Sequence, residues 1–246
     1  MRVNLLGRTY YFNQGPPNVA LLLNNKYLSA SFLHSTVVRL AFRGPPAACE
    51  VYDKDDSGPF ATPFSGSKVE PRNRVGYLAR TSFHRLLTGS GLKPLCKRFE
   101  RNLQDRVKAL DVGKDWYQMD NFLDLFEQRL APALIDAMYG PALLRDNPDF
   151  MKNFWIFDRS MKVFLGRIPR FLARKAHKAR DEAFAAIRRW HSWATQNFDE
   201  SSIDADGTDP YWGGEFCRER QKFFAKMDGH EDPDAQAGTD IAFLWA

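Results

Sequence analysis

The chain has 246 residues, enough for one large domain or two small ones, and its 44% hydrophobic and 14% aromatic content excludes an intrinsically disordered class. Its net charge of +5 is small for this length and unevenly spread, so charge alone makes no case for a nucleic-acid partner. The three cysteines, Cys49, Cys96 and Cys217, are too few and too scattered for a disulfide framework or a zinc pattern, and no stretch approaches the roughly 20 apolar residues that cross a bilayer. Taken literally, the expectation is a soluble, cytoplasmic chain without a signal peptide or transmembrane segment.

Residues 2–12 alternate apolar and polar side chains around Gly7-Arg8, which predicts a short β-hairpin. Pro16-Pro17 opens a helical segment through Leu23. Between Ser29 and Phe42 the apolar residues are set too densely to choose helix or strand, and Gly44-Pro45-Pro46 ends the run. Tyr52 to Asn73 is rich in Asp, Ser, Gly and Pro, the composition of an extended covering loop. Two helices follow, Arg74 to Leu87 and Leu95 to Leu110, with Gly89-Ser90-Gly91 as the turn between them. A strong helix runs from after Asp120 to Met138, broken by Tyr139-Gly140-Pro141, and another is predicted from Pro148 to Leu165.

The longest helix carries Leu172, Ala176, Ala179, Ala183, Ile187, Trp190 and Ala194 at three-and-four spacing, one apolar stripe with basic residues on the other face. Asp204 to Gly214 is a turn-rich connection, Phe216 to Met227 is helical, and Asp228 to Asp234 is an acidic loop. The final run, Asp240-Ile241-Ala242-Phe243-Leu244-Trp245-Ala246, opens a buried helix and stops without a cap, which reads as a cut. The fold class expected is mainly α with a small β-hairpin near the N-terminus, residues 1–246 forming a single partial domain.

Gly89-Ser90-Gly91 is no phosphate loop, because it lies between helices and has no third Gly in position. No Gly-x-Ser-x-Gly elbow supports a hydrolase. The histidines His34, His84, His177, His191 and His230 include no pair at metal-binding helical spacing. His84-Arg85 read first as an ordinary solvated basic turn, and as neighbouring donors they are also able to hold the carboxylates of a bound cofactor. The basic helix with Trp190 and Trp193 could neutralise phosphates or lie on an anionic membrane, but its tryptophans fall on or beside the apolar stripe and read as core.

Several segments, in order and spacing through nearly the whole chain, resemble the N-terminal half of a fungal cytochrome P450 from the broad group related to sterol 7α-hydroxylases and prostacyclin synthases. They are Gly7-Arg8-Thr9-Tyr10-Tyr11-Phe12, Leu28-Ser29 with Phe32-Leu33, Tyr52-Asp53-Lys54-Asp55-Asp56-Ser57-Gly58-Pro59, Phe83-His84-Arg85-Leu86-Leu87-Thr88-Gly89-Ser90-Gly91-Leu92, Asp136-Ala137-Met138-Tyr139-Gly140 and Asp209-Pro210-Tyr211-Trp212-Gly213. The resemblance implies a haem-thiolate monooxygenase that inserts one oxygen atom into an apolar, sterol- or lipid-like substrate, with NADPH-cytochrome reductase as electron donor.

In that family the thiolate Cys follows a Glu-x-x-Arg helix, and both are expected beyond Ala246. None of the three cysteines has the required context, so no catalytic residue or metal ligand is assigned, and haem is not expected to bind this chain stably. Ala237-Gly238-Thr239-Asp240 resembles the oxygen-activating motif of the family's long central helix, but Ile241 stands where Thr should follow, and Asp240 is given no proton-delivery role. The Trp-x-x-x-Arg pairing for haem propionates is missing from the helix of Arg80, leaving His84 and Arg85 as the substitutes. The membrane anchor and proline hinge of a microsomal member are also missing before Met1. The expectation is thus a chain truncated at both ends, from an incomplete gene model, a pseudogene or a split gene. It would be inactive alone, and an anchored full-length relative would sit at the endoplasmic reticulum. The competing expectation is a noncatalytic helical interaction module whose basic helix is the contact surface.

Overall fold

The structure, a computed structural model, describes residues 2–5, 8–25, 31–110 and 118–245. Strands β1 (Arg2–Leu5) and β2 (Arg8–Tyr11) pair antiparallel with Val3 opposite Tyr10, as the alternation predicts, except that Arg8 already belongs to β2. Helix α1 (Pro16–Leu23) starts on a proline, whose missing N–H would be unpaired in a first turn anyway. The ambiguous segment resolves as α2 (Ser31–Leu40), after which Ala41 and Phe42 turn into the core. Leu28-Ser29 lie outside the described residues.

Helix α3 (Pro46–Lys54) claims Tyr52 to Lys54 from the expected loop, which begins at Asp55. That loop is knotted rather than slack. Asp55 accepts from the Ser57 N–H (3.1 Å), the Ser57 hydroxyl (2.6 Å) and the Gly76 N–H (3.0 Å). The buried Arg74 guanidinium donates to Ser57 Oγ (3.1 Å) and to the carbonyls of Ala61 (2.9 Å) and Phe60. A short 3-10 turn, Pro71–Asn73, leads into α4 (Val75–Leu86).

The expected turn at Gly89-Ser90-Gly91 is instead the first turn of α5 (Gly89–Lys108), so this helix starts well before Leu95. Steric crowding explains the glycine: a Cβ on Gly91 would lie 2.2 Å from the Arg85 carbonyl oxygen, because α4 and α5 meet at a tight corner. Pro94 sits inside α5, a position that propensity reasoning penalises.

Three segments run on as one helical stretch: α6 (Leu123–Leu125), a π-helical turn (Phe126–Leu130) and α7 (Ala131–Tyr139). Helix α8 (Ala142–Asp146) is short, and the helix predicted from Pro148 to Leu165 is split at Ser160 into α9 (Phe150–Arg159) and α10 (Met161–Leu165). At the split, Ser160 N–H bonds to the Phe157 carbonyl and Val163 N–H to the Ser160 carbonyl, and this tightening ends the α-helical ladder.

Helix α11 (Arg174–Asn197) buries Ala176, Ala179, Ala183, Ile187, Trp190 and Ala194 as the stripe predicts. Leu172 is a correction: it precedes the helix and is 69% exposed. The connection after α11 contains a two-rung antiparallel ladder, β3 (Thr208–Asp209) against β4 (Gly213–Gly214), followed by α12 (Glu215–Phe224) and α13 (Pro233–Trp245).

The core lies where α11 crosses α9 and α13. Small Ala side chains on α11 let the aromatic faces approach, so Phe150, Phe154 and Phe157 of α9 and Phe184, Ile187 and Trp190 of α11 join one buried cluster. Each such side chain contributes about 1.5–3 kcal/mol by leaving water. The ladder is anchored to this core by Asp209, whose carboxylate accepts from the N–H groups of Tyr211 (2.8 Å) and Trp212 (2.7 Å) and pairs with Arg218. Trp190 then donates its indole N–H to the Tyr211 carbonyl at 2.9 Å.

Candidate functional site

The residues read as cofactor-binding, His84 and Arg85, end α4, where it meets α12 and α13. Amphipathic spacing turns their neighbour Phe83 inward. Its ring lies 5.3 Å from Phe243 and 5.8 Å from Phe216, and these two rings are 4.7 Å apart. His84 and Arg85 consequently project outward, and both are exposed. Arg85 forms an ion pair with Glu219 of α12 at 3.0 Å, and Lys222 shares that carboxylate at 3.1 Å. Burial pushes the Glu219 carboxyl up, but the hydrogen bonds from Lys222 and Arg85 outweigh it and hold the group below its ordinary range. Arg80, one turn earlier, stands over the Phe60 ring at 5.3 Å.

Behind the aromatic wall lies a charged cluster that sequence reasoning missed. Arg220 of α12 sits over the rings of Phe243 (4.9 Å), Phe224 (5.1 Å) and Phe216 (5.3 Å), and donates to Asp240 Oδ1 at 3.1 and 3.3 Å. The other carboxylate oxygen accepts from His191 Nε2 (2.7 Å) and Gln221 Nε2 (3.1 Å). Burial alone would raise the Asp240 carboxyl, yet the His191 hydrogen bond and the Arg220 charge hold it below its ordinary value. Burial lifts the Tyr139 phenol well above its usual range, and its hydroxyl donates to the Asp240 carbonyl at 3.5 Å.

This geometry gives Asp240 a structural task. Thr239 turns its hydroxyl back to the Gln236 carbonyl at 2.7 Å. The signal that could have been read is a His beside a core Trp, His191 after Trp190, and an Arg within the aromatic run of α12.

The thiols show what the chain offers iron. Cys217 donates to the Met138 carbonyl at 3.1 Å, and burial pushes its thiol well above the ordinary range. Cys49 donates to the Gly44 carbonyl at 3.3 Å and is raised by burial as well. Both are therefore held protonated, the reverse of what an iron ligand requires. Cys96 is exposed on α5. Among the described residues no cluster of His, Cys, Asp and Glu could hold a metal ion. His84 and Arg85 fit the carboxylate edge of a haem by donor chemistry, while the buried thiols Cys49 and Cys217 do not fit its iron.

Some basic residues around α11 are committed within the fold, while Lys162, Arg167, Arg174, Lys175 and Lys178 are exposed. Arg170 and Arg43 pair with Asp181, Arg188 pairs with Asp234, Arg180 donates to the Leu40 carbonyl at 3.1 Å, and Arg189 donates to Asn147 at 2.7 Å. No helix among the described residues is long and apolar enough to cross a membrane.

No protein-family model and no solved structure matches the chain. Curated relatives do. It is 29% identical over 186 residues to the cytochrome P450 monooxygenase fsoE of Humicola fuscoatra, covering 73% of this chain and 32% of that protein. It is 27% identical over 169 residues to the cytochrome P450 monooxygenase efuG of Hormonema carpetanum, covering 68% of this chain and 30% of the relative. With the cytochrome P450 monooxygenase calL of Penicillium decumbens it shares 25% identity over 205 residues, 79% of this chain and 36% of the relative. The matches thus span about a third of each relative's length. These relatives, all fungal cytochrome P450 monooxygenases, support the cytochrome P450 family for this chain.

Proposed function

We propose that this chain is the N-terminal, distal-side part of a haem-thiolate monooxygenase of the sterol 7α-hydroxylase and prostacyclin synthase group. The whole protein would insert one oxygen atom into an apolar, sterol- or lipid-like substrate, with electrons from NADPH-cytochrome reductase. The observation that carries this reading is the match to three fungal monooxygenases over most of the chain. When bound, a haem held by a thiolate supplies cleavage of the oxygen–oxygen bond. Within this chain, His84 and Arg85 would hold the haem propionates by charge-assisted hydrogen bonds, with Arg85 exchanging Glu219 for the cofactor. Phe83, Phe216 and Phe243 would form a dry wall behind them. The chain by itself would be inactive, a reading supported by Cys49 and Cys217, whose thiols are raised by burial and donate to the Gly44 and Met138 carbonyls.

The alternative is a noncatalytic module docking through its basic helix; Arg170, Arg180, Arg188 and Arg189 are engaged within the fold, which leaves Lys162, Arg167, Arg174, Lys175 and Lys178 exposed as its cationic face. A chimera decides between the two. Residues 2–245 are substituted for the matching third of a full-length relative, and the reduced, carbon-monoxide-treated protein is scanned. The expected result is a thiolate-type difference band that weakens, with loss of haem, in His84→Leu and Arg85→Leu. A chimera that folds and binds no haem would overturn the reading.

A further inference from the structure

Helix α13 is attached to the molecule differently from the other long helices. Where α9 and α11 bury Phe and Trp side chains, the fully covered apolar residues of α13 are Ala235, Ala237 and Ile241, and its terminal Trp245 is 40% exposed. Near the helix end Phe243 and Leu244 pack against the core, Phe243 against Phe83 and Phe216, whereas the stretch before Ile241 covers only Ala and Gly and contributes little apolar area. Carboxylates hold that stretch. Asp234, in the first turn, pairs with Arg188 of α11 and with Arg43 at 3.4 Å. Asp240 gathers His191 from α11 and Arg220 and Gln221 from α12. Between them Gly238 lets the backbone seat on the segment after α2, since a Cβ there would lie 2.5 Å from the Phe42 carbonyl oxygen.

A face of Ala, Gly and Ala is compatible with several rotations of a helix against its neighbours, whereas a buried carboxylate with three directed donors permits one. The titratable groups facing Asp240 are His191 on α11, Arg220 and Cys217 on α12, and Tyr139 on α7. We propose that Asp240 is a positioning residue that latches α13 as a separately releasable element: with its charge removed, α13 leaves α11 and α12 while the rest of the core stays folded. This does not depend on haem or on the monooxygenase reading.

Amide hydrogen exchange by mass spectrometry on the full 246-residue chain tests it. In sub-denaturing urea the wild-type peptides covering 233–245 are expected to exchange about tenfold faster than those of α9 and α11, because they open without global unfolding. Asp240→Asn is expected to speed exchange of 233–245 by about a further tenfold with α9 and α11 unchanged, and Arg220→Lys to give a smaller change in the same peptides. Wild-type exchange of α13 in step with α9 and α11 would overturn the proposal, whether or not the Asn variant folds. An Asn effect shared by every helix, or seen in none, would overturn it as well.

Discussion

Asp209 and His230 show how much depends on single buried polar groups. Asp209 is 2% exposed and its carboxylate ties the Asp209-Pro210-Tyr211-Trp212-Gly213 corner to Arg218, which also donates to the Gly207 carbonyl at 2.8 Å. Removing one partner leaves a buried charge uncompensated. Asp209→Ala is therefore expected to cost about 3–5 kcal/mol in chemical unfolding, whereas Arg85→Ala, which breaks an exposed pair, costs at most about 1 kcal/mol. Equal effects for the two would refute this ranking.

His230 is 1% exposed, stacks on Phe224 at 5.2 Å, donates from Nδ1 to the Asp228 carbonyl at 3.2 Å, and leaves Nε2 buried without a partner among the described residues. Burial lowers its ring below the ordinary imidazole value of 6.5. As pH falls through that value the unfolded chain takes up the proton first, so this contribution to stability is full above it and is lost toward acid. Melting temperature should decline from pH 7 to pH 5, and His230→Phe should flatten the profile; an unchanged slope would remove His230 as the cause.

At the scale of elements, close backbone contacts decide what can be replaced. Gly213, in β4, has φ +77°, and a Cβ there would lie 2.2 Å from the Gly140 amide nitrogen. Gly66 has a comparable φ of +89° with nothing within 4 Å. Gly66→Ala should cost about 1–2 kcal/mol from backbone conformation alone, while Gly213→Ala adds a clash that must push α7 off the ladder and should cost more than about 4 kcal/mol. Thermal melts of the two variants separate the contributions.

The elements that were legible in the sequence are those with a repeating pattern: the hairpin, the α11 stripe and the break at Gly140. The two-rung β3–β4 ladder is too short to show alternation, and the Gly89-Ser90-Gly91 start of α5 reads as a turn because Gly91 answers a contact from the α4 backbone. The Asp240 cluster was illegible for another reason: periodicity assigns charged residues to the solvent side, and Arg220 and His191 are charged or polar residues buried by tertiary pairing. His84 and Arg85 were legible as neighbours, but not the engagement of Arg85 with Glu219.

For the molecule as a whole, the fold joins a helical core to surfaces with little cover. Residues 11–25 are exposed throughout, including Leu21 (74%) and Leu23 (81%) of α1, so the first helix contributes little burial to the core. The bulk of stability should reside in the α9–α11 crossing, and Phe157→Ala, which empties a side chain at 0% exposure, should cost about 3–5 kcal/mol where Leu23→Ala costs less than about 0.5 kcal/mol. The central proposal is that the chain is part of a haem-thiolate monooxygenase whose iron-ligating thiolate is none of Cys49, Cys96 and Cys217. The most direct test is the difference spectrum, carbon-monoxide-bound reduced minus reduced, of the purified 246-residue chain mixed with haem. The account predicts no thiolate-type band, and a band that disappears in Cys49→Ser, Cys96→Ser or Cys217→Ser would contradict it.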